Sequence, residues 1–187
     1  MVHIPIYPNP DFTPVTTHTP DGILVAYDAV SALCASLDGL FFKQDRHGSW
    51  TRRTVTQLRR QKRYGSRTRT GARSGDSYPH IDNFRVHKIM ARAWLGPQPT
   101  FIVSPLCSQA KSEAIVLIKA ECDHINGNIL DWRASNLQWV TPAENRRRAK
   151  ILRNLRQSGF DPTTRTAEEL LTLFNLNNVA GDVYAGE

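Results

Sequence analysis

Asp123-His124-Ile125-Asn126-Gly127-Asn128 and, further along, Asn136-Leu137-Gln138-Trp139-Val140-Thr141-Pro142-Ala143-Glu144-Asn145 decide how this chain is read. Asn126-Gly127-Asn128 is a turn signal. Leu137, Trp139 and Val140 form a short apolar run with strand character. Thr141-Pro142-Ala143-Glu144 reads as a helix start: Thr141 caps, Pro142 suits the first helical position, and Glu144 completes a capping box. The local order is strand, loop, strand, helix, with Asp123-His124 before the loop and Asn145 in the first helical turn. Upstream, Ala114-Ile115-Val116-Leu117-Ile118 is a β-rich run leading into Asp123-His124, and Cys122 reads as a strand residue facing the core.

This arrangement suits a hard divalent cation. One carboxylate and one amide oxygen take two positions on Mg²⁺ and leave the rest to water and phosphate oxygens. A neutral histidine beside the ion can take a proton from an attacking water, because its reference pKa of ~6.5 lies near working pH. Asn136, on the approach to the second strand, is placed to hold one imidazole nitrogen and fix the tautomer. Singly, each feature has a plainer reading. An Asp-His pair is usually a turn, an Asn-Leu-Gln-Trp strand is core, and Glu-Asn at a helix start is capping and dipole complementarity. Their joint occurrence favours a hydrolytic site.

Together with Arg85-Val86-His87-Lys88-Ile89-Met90-Ala91-Arg92-Ala93-Trp94-Leu95-Gly96 upstream, these residues resemble the HNH endonucleases, in particular the phage and intron homing type. The resemblance runs over residues 84–148. It implies an α+β protein with a ββα-metal nuclease core, hydrolysis of phosphodiester bonds, and double-stranded DNA as partner. It implies His124 as general base and Asn136 as the residue orienting it. Asp123 and Asn145 would be the ligands of Mg²⁺ or Mn²⁺, and no zinc is expected. The family often has Asn-Asn where this chain has Asp131-Trp132, a departure that falls in the loop. Two other readings share parts of this pattern: a DNA-binding regulator with a silent HNH-like site, and a restriction or phage-packaging nuclease with the same chemistry.

The 187 residues carry a net charge of +7, with a pI near 9.7, which favours a polyanionic partner. Three cysteines, Cys34, Cys107 and Cys122, form no Cys-x-x-Cys pair, which argues against structural zinc and fits a reducing compartment. With no signal peptide, the expected location is the cytoplasm of a phage or bacterial host. No apolar run approaches the ~20 residues needed to span a bilayer. The oligomeric state is open.

The expected organisation is an N-terminal β-rich, basic DNA-binding region (1–83), the nuclease core (84–158), and a C-terminal helix and tail (159–187). Pro5, Pro8, Pro10, Pro14 and Pro20 predict an extended arm over residues 1–20, anchored by Ile4, Ile6, Tyr7 and Phe12. Residues 22–27 read as a strand, 29–37 as a short helix capped by Asp28, and Leu40-Phe41-Phe42 as a strand returning through Trp50.

The segment 52–73 contains Arg52, Arg53, Arg59, Arg60, Lys62, Arg63, Arg67, Arg69 and Arg73 with no acidic residue between them. It reads as phosphate-backbone binding. Ser77 to Ile81 is another short strand. Val86, Ile89, Met90, Ala93 and Trp94 have helical spacing, and within that helix His87 is either a packed structural residue or a group near the metal. Residues 97–113, with Pro97, Pro99 and Pro105, read as a loop.

The helix from Pro142 carries Arg146, Arg147, Arg148, Lys150, Arg153 and Arg156 as a basic flank for DNA. Thr166-Ala167-Glu168-Glu169 opens a last helix, which should pack on the body through Leu170, Leu171, Leu173 and Phe174. Residues 177–187 are expected to be loose.

Overall fold

Short β-rich runs separated by turn residues build the first half of the molecule. In the computed structural model, which describes residues 11–56, 78–103 and 116–183, five of them form an antiparallel sheet in chain order. These are β1 (Thr16–His18), β2 (Leu24–Asp28), β3 (Leu33–Ser36), β4 (Phe41–Gln44) and β5 (Trp50–Arg53). The sheet is apolar on both faces. Ala26, Leu33, Ala35 and Phe41 point to the main core, while Val25, Cys34 and Phe42 form a second cluster with Ile23, Leu40 and Trp50.

Several sequence expectations are corrected in this region and beyond. Residues 29–37 do not form a helix. Asp28 does accept from the amides of Val30 and Ser31, but these bonds close a turn, and the chain returns as β3 paired with β2. All four β3 residues are buried, so both faces of the strand are apolar and no alternation is visible. β1 lies within the stretch expected to be an arm; it is exposed throughout and pairs only with β2, an edge position compatible with flanking prolines. Of the expected anchors, Phe12 packs its ring against Gly96, and Ile4, Ile6 and Tyr7 lie outside the described residues.

The next elements lead to the second half. β6 (His80–Ile81) and β7 (Phe84–Arg85) form a small hairpin, and α1 (Val86–Trp94) follows. Helical spacing buries Val86, Ile89, Met90 and Ala93 completely against the sheet. Trp94 Nε1 donates to the Ala35 carbonyl at 2.9 Å, and Arg92 pairs with Asp28. β8 (Thr100–Val103) falls inside the stretch read as a loop and pairs with β9 (Val116–Lys119). The β-branched and aromatic content of Thr100-Phe101-Ile102-Val103 outweighs the flanking prolines.

β10 (Glu121–His124) and β11 (Leu137–Val140) then pair antiparallel, with His124 opposite Leu137 and Cys122 opposite Trp139. Trp139 is buried in the same core as α1 and the sheet, and its Nε1 donates to the Gly96 carbonyl at 3.1 Å. α2 (Pro142–Gln157) starts at the expected cap: Thr141 Oγ1 accepts from the Glu144 amide. The reciprocal half of that capping box is replaced, since the Glu144 carboxylate accepts from Arg147 and Arg148 instead.

α3 (Ala167–Val183) has the full reciprocal box between Thr166 and Glu169. Leu170 and Phe174 bury against Ile125 and Leu152, as the packing reading of this helix anticipated. The helix continues into the tail expected to be loose, as far as Val183. Among the described residues, no helix is long and apolar enough to cross a membrane.

Candidate active site

Strand alternation divides the two adjacent motif residues between opposite faces of β10. Cys122 and His124 face α1: the Cys122 thiol donates to the His87 carbonyl, and the His124 ring meets the His87 ring edge-on at 5.0 Å. Glu121 and Asp123 face α2. Glu121 accepts from Asn145 Nδ2 at 2.6 Å, and Asp123 accepts from Gln138 Nε2 at 3.2 Å with Arg148 Nη1 at 3.9 Å. Asp123, His124 and Asn145 nevertheless line one cleft of about 500 Å³, with Tyr78, Ile129, Leu152, Arg153 and Arg156 among its other walls.

The electrostatics follow from burial. His124 is 4% exposed, with no partner for Nε2 among the described residues, and this burial holds the imidazole down to about 4 against the opposing pull of Asp131. At neutral pH it is therefore uncharged and able to accept a proton. Burial raises Asp123 to about 7, opposed mainly by the Arg148 guanidinium. Burial raises the Cys122 thiol so far that it stays protonated and unreactive.

Asn136 is placed differently from the sequence expectation. Its Oδ1 accepts from the Asn126 amide at 3.0 Å, and its Nδ2 donates to Asn126 Oδ1 and to the Asp131 carbonyl. These bonds organise the loop between β10 and β11 rather than reaching the imidazole. The same network explains Asp131-Trp132. The Asp131 carboxylate accepts from Asn126 and Arg133, and Trp132 Nε1 donates to Gly39 in the turn between β3 and β4. Asp131 thus braces this loop and Trp132 fastens it to the N-terminal sheet.

The loop is closed from above by α2. Arg156 Nη2 donates to the carbonyls of Asn126 and Gly127, both at 3.3 Å. Gly127 has φ +66°, and a Cβ there would lie 2.8 Å from Arg156 Nη2 and 2.9 Å from Leu152 Cδ1. Gly127→Ala is therefore expected to destabilise the protein by about 1–3 kcal/mol, through left-handed strain and displacement of Arg156. Urea unfolding measures it; an unchanged midpoint would mean the turn tolerates a side chain.

The residues expected to grip DNA divide into three groups. Arg59, Arg60, Lys62, Arg63, Arg67 and Arg69 lie outside the described residues. Arg52 and Arg146 are exposed, while Arg53 pairs with Asp82 at 2.6 Å. Arg147 and Arg148 turn inward. Arg147 binds Glu144 and the Phe174 carbonyl, and Arg148 binds Glu144 and lies over the Phe174 ring. A basic run on a helix gives no sign of which arginines a downstream helix will claim. Tyr78 was not expected at the cleft, and nothing in its local sequence marks it.

No group of three or more His, Cys, Asp or Glu among the described residues could hold a metal ion. Among the residues lining the cleft, the two expected ligands are a carboxylate, Asp123, and an amide, Asn145. Both are oxygen donors, and the pair suits a cation that keeps most of its positions for water and phosphate. Asp123, largely buried and with its nearest cation among the described residues 3.9 Å away, is a carboxylate that a closer positive charge would stabilise. Comparisons of the chain with protein-family models, with curated proteins and with solved structures found no match in any of the three.

Proposed function

We propose that this protein is a divalent-metal-dependent DNA endonuclease with an HNH-type ββα-metal core, of the homing kind. The observation that carries this reading is the convergence of Asp123, His124 and Asn145 on one cleft, from the end of β10 and the first turn of α2. Asp123 and Asn145 are the proposed ligands of Mg²⁺ or Mn²⁺. A cation held there supplies Lewis-acid stabilisation of the phosphate oxygens and of the leaving 3′ oxygen. His124 takes the proton of the attacking water. The exposed Arg146 and Arg153 on α2, and the net charge of +7, favour the DNA backbone beside the cleft.

The test is relaxation of supercoiled plasmid in Mg²⁺ and in EDTA, with a gel shift on the same DNA. Nicked or linear product in Mg²⁺ alone is the expected result. Retarded DNA without scission under any divalent ion would replace this reading with that of a DNA-binding regulator.

Asp123 gives the proposal a pH signature that needs no DNA. The folded chain keeps a proton on Asp123 up to about pH 7, whereas the unfolded carboxyl releases it near 3.8. That contribution to stability is complete below the unfolded value and is lost as pH rises through about 7. A bound cation takes the place of the proton. The rise in Tm on adding Mn²⁺ is therefore expected to be larger at about pH 8 than at about pH 6, and Asp123→Asn should abolish the difference. Equal increments at both pH values in the wild type would remove Asp123 from the cation site.

A further inference from the structure

We infer that His87 and Tyr78 are the positioning residues of His124, holding the imidazole by ring contacts in the role the sequence assigns to Asn136. The inference rests on the proposed general-base role of His124.

A general base has to present one nitrogen along one direction, and a histidine ring rotates about its outer torsion unless something stops it. Hydrogen bonding usually does this, through the second ring nitrogen. Asn136, the expected partner, has its oxygen and amide engaged with Asn126 and Asp131. What surrounds His124 instead is aromatic. The Tyr78 ring lies nearly parallel to it, 25° off and 6.1 Å between centres. The His87 ring stands across it at 66° and 5.0 Å. Tyr78 and His87 in turn touch each other at 4.7 Å, so the three rings form a closed triangle. Rotation of the His124 ring would drive it into one neighbour or the other.

Each neighbour is fixed independently. His87 is 3% exposed in the first turn of α1, between the fully buried Val86 and Ile89, and its carbonyl accepts from the Cys122 thiol on β10. Tyr78 carries the Arg85 guanidinium over its ring at 5.1 Å. His87 Nδ1 is buried with no hydrogen-bond partner among the described residues, so the side chain meets its surroundings through its ring rather than through a polar bond at that atom. Tyr78 also lines the cleft beside His124, so it holds the imidazole from the side on which substrate arrives.

The experiment measures plasmid nicking under saturating Mg²⁺ for wild type, His124→Ala, His87→Ala, His87→Phe and Tyr78→Leu. Alongside it, ¹⁵N–¹H spectra record the ring of His124. Loss of either neighbouring ring is expected to lower kcat about 10²-fold with KM for DNA unchanged, the cost of a misdirected base. His87→Phe should recover most of the loss, because it restores the ring edge. In His87→Ala the His124 ring signals should broaden or split into two tautomers. Tyr78, only half-buried, gives the variant least exposed to folding defects, and thermal melts certify each protein.

Wild-type kcat in His87→Ala and Tyr78→Leu, with His124→Ala inactive, would overturn the clamp and leave the nuclease intact. Failure of His87→Phe to improve on His87→Ala would overturn a ring contact as the cause. If wild type binds DNA and does not cut it, the nuclease proposal fails. The His124 ring spectra then still decide whether the clamp exists: unchanged spectra in His87→Ala would overturn it.

Discussion

His124→Ala is expected to bind double-stranded DNA as tightly as wild type and to cleave it about 10²–10⁴-fold more slowly. The direction follows from what the imidazole does and does not touch. Its Nε2 makes no hydrogen bond among the described residues, so truncation breaks no polar contact seen at that atom, and the side chain is not one of the basic groups on the surface. Binding therefore has little to lose. The reaction loses its proton acceptor, and nothing nearby can replace it. Asp123 is taken up by the proposed cation, Cys122 stays protonated, and His87 is not among the residues lining the cleft. Rates from plasmid relaxation, set beside gel-shift affinities from the same preparations, check both halves. Cleavage at the wild-type rate would remove His124 from the mechanism, and a parallel loss of binding would recast it as a structural residue.

The parts of this molecule that the sequence makes legible are those where one short-range signal meets one face of burial. α1 is read correctly because Val86, Ile89, Met90 and Ala93 repeat at helical spacing and the stripe they form is buried. β10, β11 and the start of α2 are read correctly because a turn, a Trp-containing strand and a cap follow each other without ambiguity. β3 is misread for a physical reason. Val30, Leu33, Cys34 and Leu37 sit at helical spacing, while both faces of the sheet are covered by apolar neighbours, so the period of two is erased. At the site, the proposed reacting residues are legible by type and order. Their supports are not, because they come from elsewhere in the chain: Tyr78 precedes β6, His87 is on α1, Gly39 lies between β3 and β4, and Phe174 is on α3. The place of Asn136 in the sequence fits a bond to the imidazole equally well. Only the fold reveals that Asn126 and Asp131 lie closer to its side chain's reach.

Asp28→Ala is expected to destabilise the protein by about 3–5 kcal/mol, although the residue lies in the N-terminal sheet and far from the cleft in sequence. Its carboxylate is 2% exposed and receives both Arg92 Nε at 2.8 Å and Arg92 Nη2 at 2.7 Å. Ser31 Oγ adds a further bond at 2.5 Å, and the amides of Val30 and Ser31 complete the set. Arg92 is itself 14% exposed on α1. Removing the carboxylate leaves a guanidinium inside the protein without a counter-charge, and breaks the turn that sends β2 back as β3. Most of the expected cost lies in that stranded charge, so a second substitution separates the two contributions. Adding Arg92→Met to Asp28→Ala should recover a substantial part of the loss, because deleting a buried pair costs far less than breaking one. Urea unfolding of wild type, the single variant and the double variant closes the comparison. A single variant within about 1 kcal/mol of wild type would mean the pair behaves like a surface ion pair. A double variant no better than the single would place the loss in the turn. The consequence reaches the proposed chemistry through α1: Arg92 lies on the same helix as His87, so the ion pair that fixes this helix to the sheet also fixes the ring that faces His124.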